Sequence, residues 1–281
     1  MVASHRTKGE KTTILTVNYN TSDFIGLLLD SLRLLTREPY RVIICDNGSK
    51  SKDLKNLKDL CKNEENIDLI INQQSTKGSI GHGEALDILA SRVETPFFVV
   101  ADSDVVFLRK DWDTELIGRI NEEIKAVGTE AAGDKPKDFP TLYVVLYETE
   151  SFRKVDRSFL PDVGAYKKGA YTDTGWQVRE GFLDGGISGE TLEMRNTRVY
   201  KDGPFRDFTG VGEFYLKGQE EIFLVHYGRG ATGGVAKFLH SEGSPTVPGR
   251  IRALYGANKE RKAWLKQAQQ YLESISASSI G

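Results

Sequence analysis

Two cysteines in 281 residues, Cys45 and Cys61, are too few for a disulfide framework. No cysteine or histidine spacing matches a zinc site. No apolar run approaches the roughly 20 residues that span a bilayer. Residues 1–11 are polar and lack the apolar centre of a signal peptide, so they read as a loose lead-in. Neither sign of charge is in excess: 38 Lys and Arg face 40 Asp and Glu, for a formal net charge of −2. That removes any global pull toward nucleic acid or an anionic membrane. There is no internal repeat and no low-complexity linker. The expectation is a globular chain with a sizeable core, in the cytoplasm, with no nucleic-acid partner.

What is present centres on residues 97–107. The run Phe97, Phe98, Val99, Val100 and Ala101 reads as a buried parallel strand. Asp102 and Asp104 interrupt it, and Val105, Val106 and Phe107 follow. Ligands of open α/β sheets sit at the carboxyl ends of strands, where these two acids fall. Their i, i+2 spacing in extended backbone would put both side chains on one side. Two adjacent carboxylates repel unless a cation neutralises them, and hard oxygen ligands suit Mg²⁺ or Mn²⁺ bridging to phosphates. A bare Asp-x-Asp is also a common solvated turn.

Strands alternate with helices over residues 12–110, which predicts parallel pairing with right-handed crossovers. Three earlier strand ends bring polar residues to the same rim. The first is Asn18 and Tyr19 after Val17, the second Asp46 with Asn47, Gly48 and Ser49. The third is a loop holding Gly78, Gly81 and Gly83, which matches neither Gly-x-Gly-x-x-Gly nor a phosphate loop. Each has an ordinary alternative: aromatic packing for Tyr19, turn chemistry for Asp46, a plain turn for the glycines. Together they describe a nucleotide-sized slot with a metal at one end.

Four segments carry a resemblance in this order: residues 14–20, residues 44–49, residues 81–86 and residues 101–104. They resemble the family 2 glycosyltransferases of the GT-A fold. The resemblance implies a mostly parallel central sheet with helices on both faces, a nucleoside-diphosphate-sugar donor, a divalent metal and inversion at the anomeric carbon. Val17, Asn18, Tyr19 and Asp46 would line the nucleoside pocket. Gly78, Asp102 and Ser103 would continue along the nucleotide, and Asp102 and Asp104 would meet the metal. UDP is the expected nucleotide, because an Asp can pair with the uracil imino N–H; thymidine offers the same group, and guanosine is the further alternative.

The second half has fewer clean βα units, so residues 111–246 are expected to supply the acceptor side of the same domain. Asp173, with Thr174, Gly175, Trp176 and Arg179 after it, resembles the acidic helix start that serves the family as general base. The ordinary reading of an Asp here is a helix N-cap, and Asp184 competes for the role. His226 ends a strand before Gly228, Arg229 and Gly230. By resemblance it completes the metal site, with His240 the second candidate. Arg229 could reach a diphosphate.

From Val247 the chain turns basic and amphipathic, with Arg250, Arg252, Lys259, Arg261, Lys262 and Lys266 among Ile251, Leu254, Trp264 and Leu272. A C-terminal helix is expected over residues 247–281. It could pack on the domain, pair with a second copy or touch a membrane surface. The leading function is sugar transfer to a hydroxyl of a glycan, lipid-linked, small-molecule or protein acceptor. The alternatives are a sugar-phosphate nucleotidyltransferase and a non-catalytic nucleotide-sugar or glycan binding module.

Overall fold

A computed structural model of the chain describes residues 9, 11–73, 76–133, 135–167, 172–230 and 247–278. The first half builds as expected. β1 (Thr12–Asn18), α1 (Ser22–Leu35), β2 (Tyr40–Asp46), α2 (Ser51–Cys61), β3 (Ile67–Ile71), α3 (Gly78–Ala90) and β4 (Phe97–Ala101) alternate along the chain. Every residue of β1 except the half-buried Val17 is buried, as a strand covered on both faces must be. Helices do cover both faces. Val99 and Val100, neighbours on β4, enter opposite cores, one shared with α1 and the other with α3.

The second half differs. After β5 (Val105–Phe107) and α4 (Trp112–Ile117) come β6 (Ile124–Thr129), β7 (Thr141–Glu148), α5 (Thr149–Val155), α6 (Val163–Lys167) and α7 (Trp176–Asp184). β8 (Ser188–Asn196), β9 (Gly212–Tyr215), β10 (Ile222–His226) and the long α8 (Val247–Ser278) complete the chain. The strands form one sheet in the order β3-β2-β1-β4-β7-β6-β8-β9-β10-β5. β3–β2, β2–β1, β1–β4 and β6–β8 pair in parallel. β4–β7, β7–β6, β8–β9, β9–β10 and β10–β5 pair antiparallel. The sheet is therefore mixed and antiparallel in the majority of its pairings, which corrects the expectation of a mostly parallel one. The physical reason is the connections: β6–β7 and β9–β10 are joined without a helix, and such links permit antiparallel neighbours where parallel ones need a crossover.

The C-terminal helix packs on the domain. Ala253, Ala257, Trp264, Ala268 and Leu272 form its buried stripe. The Trp264 ring lies 5.6 Å from Phe24 of α1 and 5.1 Å from Tyr227 just after β10. Arg261 pairs with Asp23 and stands 4.4 Å over the Phe24 ring. Ile251, Leu254 and Tyr255 stay exposed. No described helix is long and apolar enough to cross a membrane.

Candidate functional site

The carboxyl end of β4 opens into a tight turn. The Val105 N–H donates to the Asp102 carbonyl at 3.3 Å, so residues 102–104 are not extended. The two carboxylates converge through this turn rather than by strand alternation, which corrects the i, i+2 argument. β5 then leaves antiparallel to β10 with Val105 opposite His226. That register sets the imidazole beside both acids. His226 Nε2 lies 3.2 Å from Asp104 Oδ1 and 3.4 Å from Asp102 Oδ2. One ligand atom from each of Asp102, Asp104 and His226 falls within 4.8 Å of the others. Two carboxylate oxygens and one imidazole nitrogen are a donor set that fits Mn²⁺ well and Mg²⁺ less well.

The triad is held from behind. Asp104 Oδ2 accepts the Arg229 N–H at 2.9 Å and the Gly230 N–H at 2.7 Å. The Tyr227 N–H donates to the Asp104 carbonyl at 3.0 Å. Tyr143 of β7 packs its ring 4.5 Å from the His226 ring. Burial opposes charge on Asp104, yet the neighbouring His226 and the two N–H donors hold its carboxyl down to about 2. Burial likewise opposes charge on His226, and the two acids beside it push the imidazole up to about 10. The Arg229 guanidinium is engaged elsewhere, 2.8 Å from Glu260 of α8 and 3.2 Å from the Thr209 and Gly210 carbonyls. His240 lies outside the described residues.

A second anchor is built from α3. Ser79, Gly83 and Asp87 recur at i, i+4 and i+8, one face of the helix. Asp87 accepts the Phe159 N–H at 2.8 Å. At Gly83 a Cβ would stand 2.8 Å from the Phe159 carbonyl oxygen, so only glycine lets helix and strap meet backbone to backbone. The same Phe159 carbonyl accepts the Gly175 N–H at 2.6 Å. Ser79 donates its hydroxyl to Asp173 Oδ1 at 2.6 Å, and Thr174 Oγ1 donates to the Ser79 carbonyl at 3.1 Å. Lys135 Nζ reaches Asp173 Oδ2 at 3.3 Å. Gly175, at φ +85°, is the N-cap residue of α7, and no side chain caps the helix. Asp173 thus precedes the cap and keeps its carboxylate for the cavity, against the N-cap reading. Burial favours its neutral form, but the Ser79 hydroxyl, the Lys135 ammonium and the Thr174 N–H hold it below the usual carboxylate range. Asp184 is exposed at the far end of α7.

These pieces face one cavity of about 540 Å³. Val17, Tyr19, Gly78, Asp102, Ser103, Asp104, His226 and Asp173 all line it. Asn18 and Asp46 do not. Asn18 is 0% and Asp46 1% exposed, and the Asn18 amide donates to the Asp46 carboxylate at 2.8 Å. They shape the wall from within, and Asn47 stands in the lining in their place. Sequence reasoning missed Lys135, Tyr143 and Ser79, and it saw His82 only as part of a glycine motif. His82 lines the cavity with its Nε2 4.0 Å from Asp102 Oδ1. A smaller cavity of about 120 Å³ adjoins on the side of Trp176, Lys135 and Arg179.

Comparison with known proteins bears on the family and the fold. Over 98 residues the chain is 35% identical to the teichoic acid poly(glycerol phosphate) polymerase of Staphylococcus epidermidis. That stretch is 34% of this chain and 13% of the relative, so the match touches only a small part of the larger protein. The mannosyltransferase PcManGT of Pyrobaculum calidifontis, solved with GDP-Man and Mn²⁺, superposes with a TM-score of 0.52 at 15% identity. The superposition covers 98% of this chain and 78% of that one, and it supports a GT-A-like fold. TarS of S. aureus gives a TM-score of 0.48 at 17% identity, over 65% of this chain and 35% of that one. A profile described as Glycosyl transferase family 2 matches residues 13–179, more than half of the chain, so this protein belongs to that family of glycosyltransferase enzymes.

Proposed function

We propose that the chain moves a sugar from a nucleoside-diphosphate donor to an acceptor hydroxyl, with inversion and with a divalent metal. The observation that carries this reading is the joint opening of two separate anchors onto one cavity: Asp102, Asp104 and His226 on one side, Asp173 on the other. Asp102, Asp104 and His226 would hold Mn²⁺ or Mg²⁺. Bound there, the ion would neutralise charge developing on the departing diphosphate. Val17, Tyr19 and Gly78 line the same cavity and fit the nucleoside and the path of its phosphates. Asp46, on which the expectation of UDP rested, lies outside this lining, so UDP and GDP are tried alike.

Asp173 accepts the proton of the acceptor hydroxyl as that oxygen attacks the anomeric carbon. The acceptor enters from the side of Trp176, where the smaller cavity lies. Attack from that side, opposite the departing phosphate, inverts the anomeric centre. A sugar-phosphate nucleotidyltransferase fits less well, because only residues 19–21 separate β1 from α1, too little for a triphosphate-holding loop. A binding module would have no use for a half-exposed carboxylate in the cavity wall kept ionised by Ser79 and Lys135. The outward turn of α8 with Ile251, Leu254 and Tyr255 is the surface we assign to peripheral membrane contact, which flotation with anionic vesicles tests.

The test of the main reading is incubation with UDP- and GDP-sugars and Mn²⁺, with and without EDTA. Metal-dependent release of nucleoside diphosphate supports transfer. Saturable binding without any turnover, across acceptors, would favour the module.

A further inference from the structure

We propose that His82 is the residue that recognises the sugar being transferred, through a hydrogen bond to one of its hydroxyls. This rests on the donor reading above and adds a named specificity residue to it. The two cavities share five lining residues: His82, Asp102, Tyr143, Asp173 and Thr174. Their junction lies between the metal-binding set and the base. In-line displacement requires the anomeric carbon to sit between leaving phosphate and attacking oxygen. The sugar ring therefore occupies the junction.

Of those five residues, three have their polar groups engaged and a fourth its ring. Asp102 belongs to the metal set, and Tyr143 packs on the His226 ring. Asp173 accepts from Ser79 and Lys135, while Thr174 donates to the Ser79 carbonyl. His82 differs. Among the described residues its ring makes no hydrogen bond, and the Asp102 oxygen at 4.0 Å is beyond hydrogen-bond reach. Its side chain is 31% exposed, so the ring is neither core packing nor loose surface. The start of α3 enters the cavity through Gly78, Ser79, Gly81 and His82. The two glycines carry no side chain and Ser79 is spent on Asp173, so His82 is the polar side chain this helix has to offer a ligand. An imidazole presents one N–H donor and one acceptor when neutral, which suits a hydroxyl in either role. Asp102 on its other side would share the same ring, as adjacent polar groups do around a bound sugar.

The experiment compares a nucleoside diphosphate with its matching nucleotide-sugar, UDP with UDP-sugars and GDP with GDP-mannose. Affinities are measured by calorimetry with Mn²⁺ for the parent, His82→Ala and His82→Gln. A hydrogen bond between uncharged partners is worth about tenfold in affinity. The expected result is that His82→Ala keeps diphosphate affinity within about twofold and weakens the nucleotide-sugar about tenfold. His82→Gln, which keeps a donor and an acceptor, should recover part of that loss. A monodeoxy donor lacking the recognised hydroxyl should bind the parent more weakly and His82→Ala no more weakly than the full donor does. Equal loss for diphosphate and nucleotide-sugar would assign His82 to the phosphates or the metal and overturn the inference. Unchanged binding of both overturns it as well. If the parent itself binds neither ligand with Mn²⁺, the donor reading falls and takes this inference with it.

Discussion

The hydroxyl of Ser79 lies 2.6 Å from Oδ1 of Asp173, although 94 residues of chain separate them. Ser79 opens α3 and Asp173 precedes α7, so this bond ties the first half of the chain to the second at the proposed base. Its direction matters. The serine donates, which favours the ionised carboxylate, the form in which the proposed base would accept a proton.

Asp173→Asn should therefore bind metal and donor as the parent does and lose transfer. General-base assistance is typically about 10²–10⁴-fold in rate. Asp184→Asn should stay near parent turnover, since Asp184 is exposed at the end of α7. Single-turnover assays at saturating donor measure both. Near-parent rates for Asp173→Asn would remove it from the base role.

Lys135→Ala should move the acid limb of the kcat/KM profile to higher pH. Burial already works toward a neutral Asp173, and Lys135 is one of the groups that keep it charged. A base is active as its carboxylate, so activity is lost as pH falls through its pKa. Held below the ordinary range, that loss comes at low pH in the parent. With the ammonium gone the pKa rises, and the loss should begin sooner on acidification. An acid limb that stays in place in Lys135→Ala would mean that another group sets it.

Asp104→Ala should cost stability as well as metal binding. Its Oδ2 accepts the backbone N–H groups of Arg229 and Gly230. Each buried donor left without a partner costs about 1–3 kcal/mol. The variant should melt earlier than the parent even in EDTA and show no Mn²⁺-dependent nucleotide affinity. His226→Ala should share the second defect, because the imidazole is within 3.2 Å of Asp104. Retained metal-dependent affinity in either variant would break the proposed donor set.

Gly83→Ala should lower both the melting temperature and turnover. The new methyl would meet the Phe159 carbonyl at 2.8 Å and Leu160 Cα at 3.0 Å, both backbone atoms that cannot swing away. Overpacking of this kind costs about 1–3 kcal/mol. Relief requires α3 to part from residues 159–160, which also carry the Gly175 turn. Thermal melts and steady-state kinetics on the same sample test the pairing of the two effects. A loss of stability with turnover intact would separate the strap from the base.

Much of the first half was legible because its physics is local. Buried parallel strands are apolar runs of fixed length, and β1, β2 and β4 each end in polar residues where the run stops. Asp102, Asp104 and His226 stood out because each follows such a run. The second half was harder to read. β8 pairs with β6 on one side and β9 on the other, and no residue of β8 states which partner is parallel. Lys135 sits in a polar loop whose sequence carries no period, so only the fold brings it to Asp173. Asn18 and Asp46 were legible as polar strand ends, but their burial depends on Ser49 and Asp53 closing over Asn18. Burial of that kind is a property of the assembled loops, not of either residue.

The Arg229–Glu260 pair has a consequence for the whole chain. Arg229 gives its backbone to Asp104 and its side chain to the C-terminal helix, so one residue belongs to both. If a cation binds at the acid pair as proposed, its binding and the docking of α8 would be linked through this residue. A cation that firmed residues 226–230 would then also firm the helix, and a change that freed the helix would weaken cation binding by the same factor. α8 lies outside the matched residues 13–179, so the helix that holds the Arg229 side chain would set the strength of the proposed site without supplying a ligand to it.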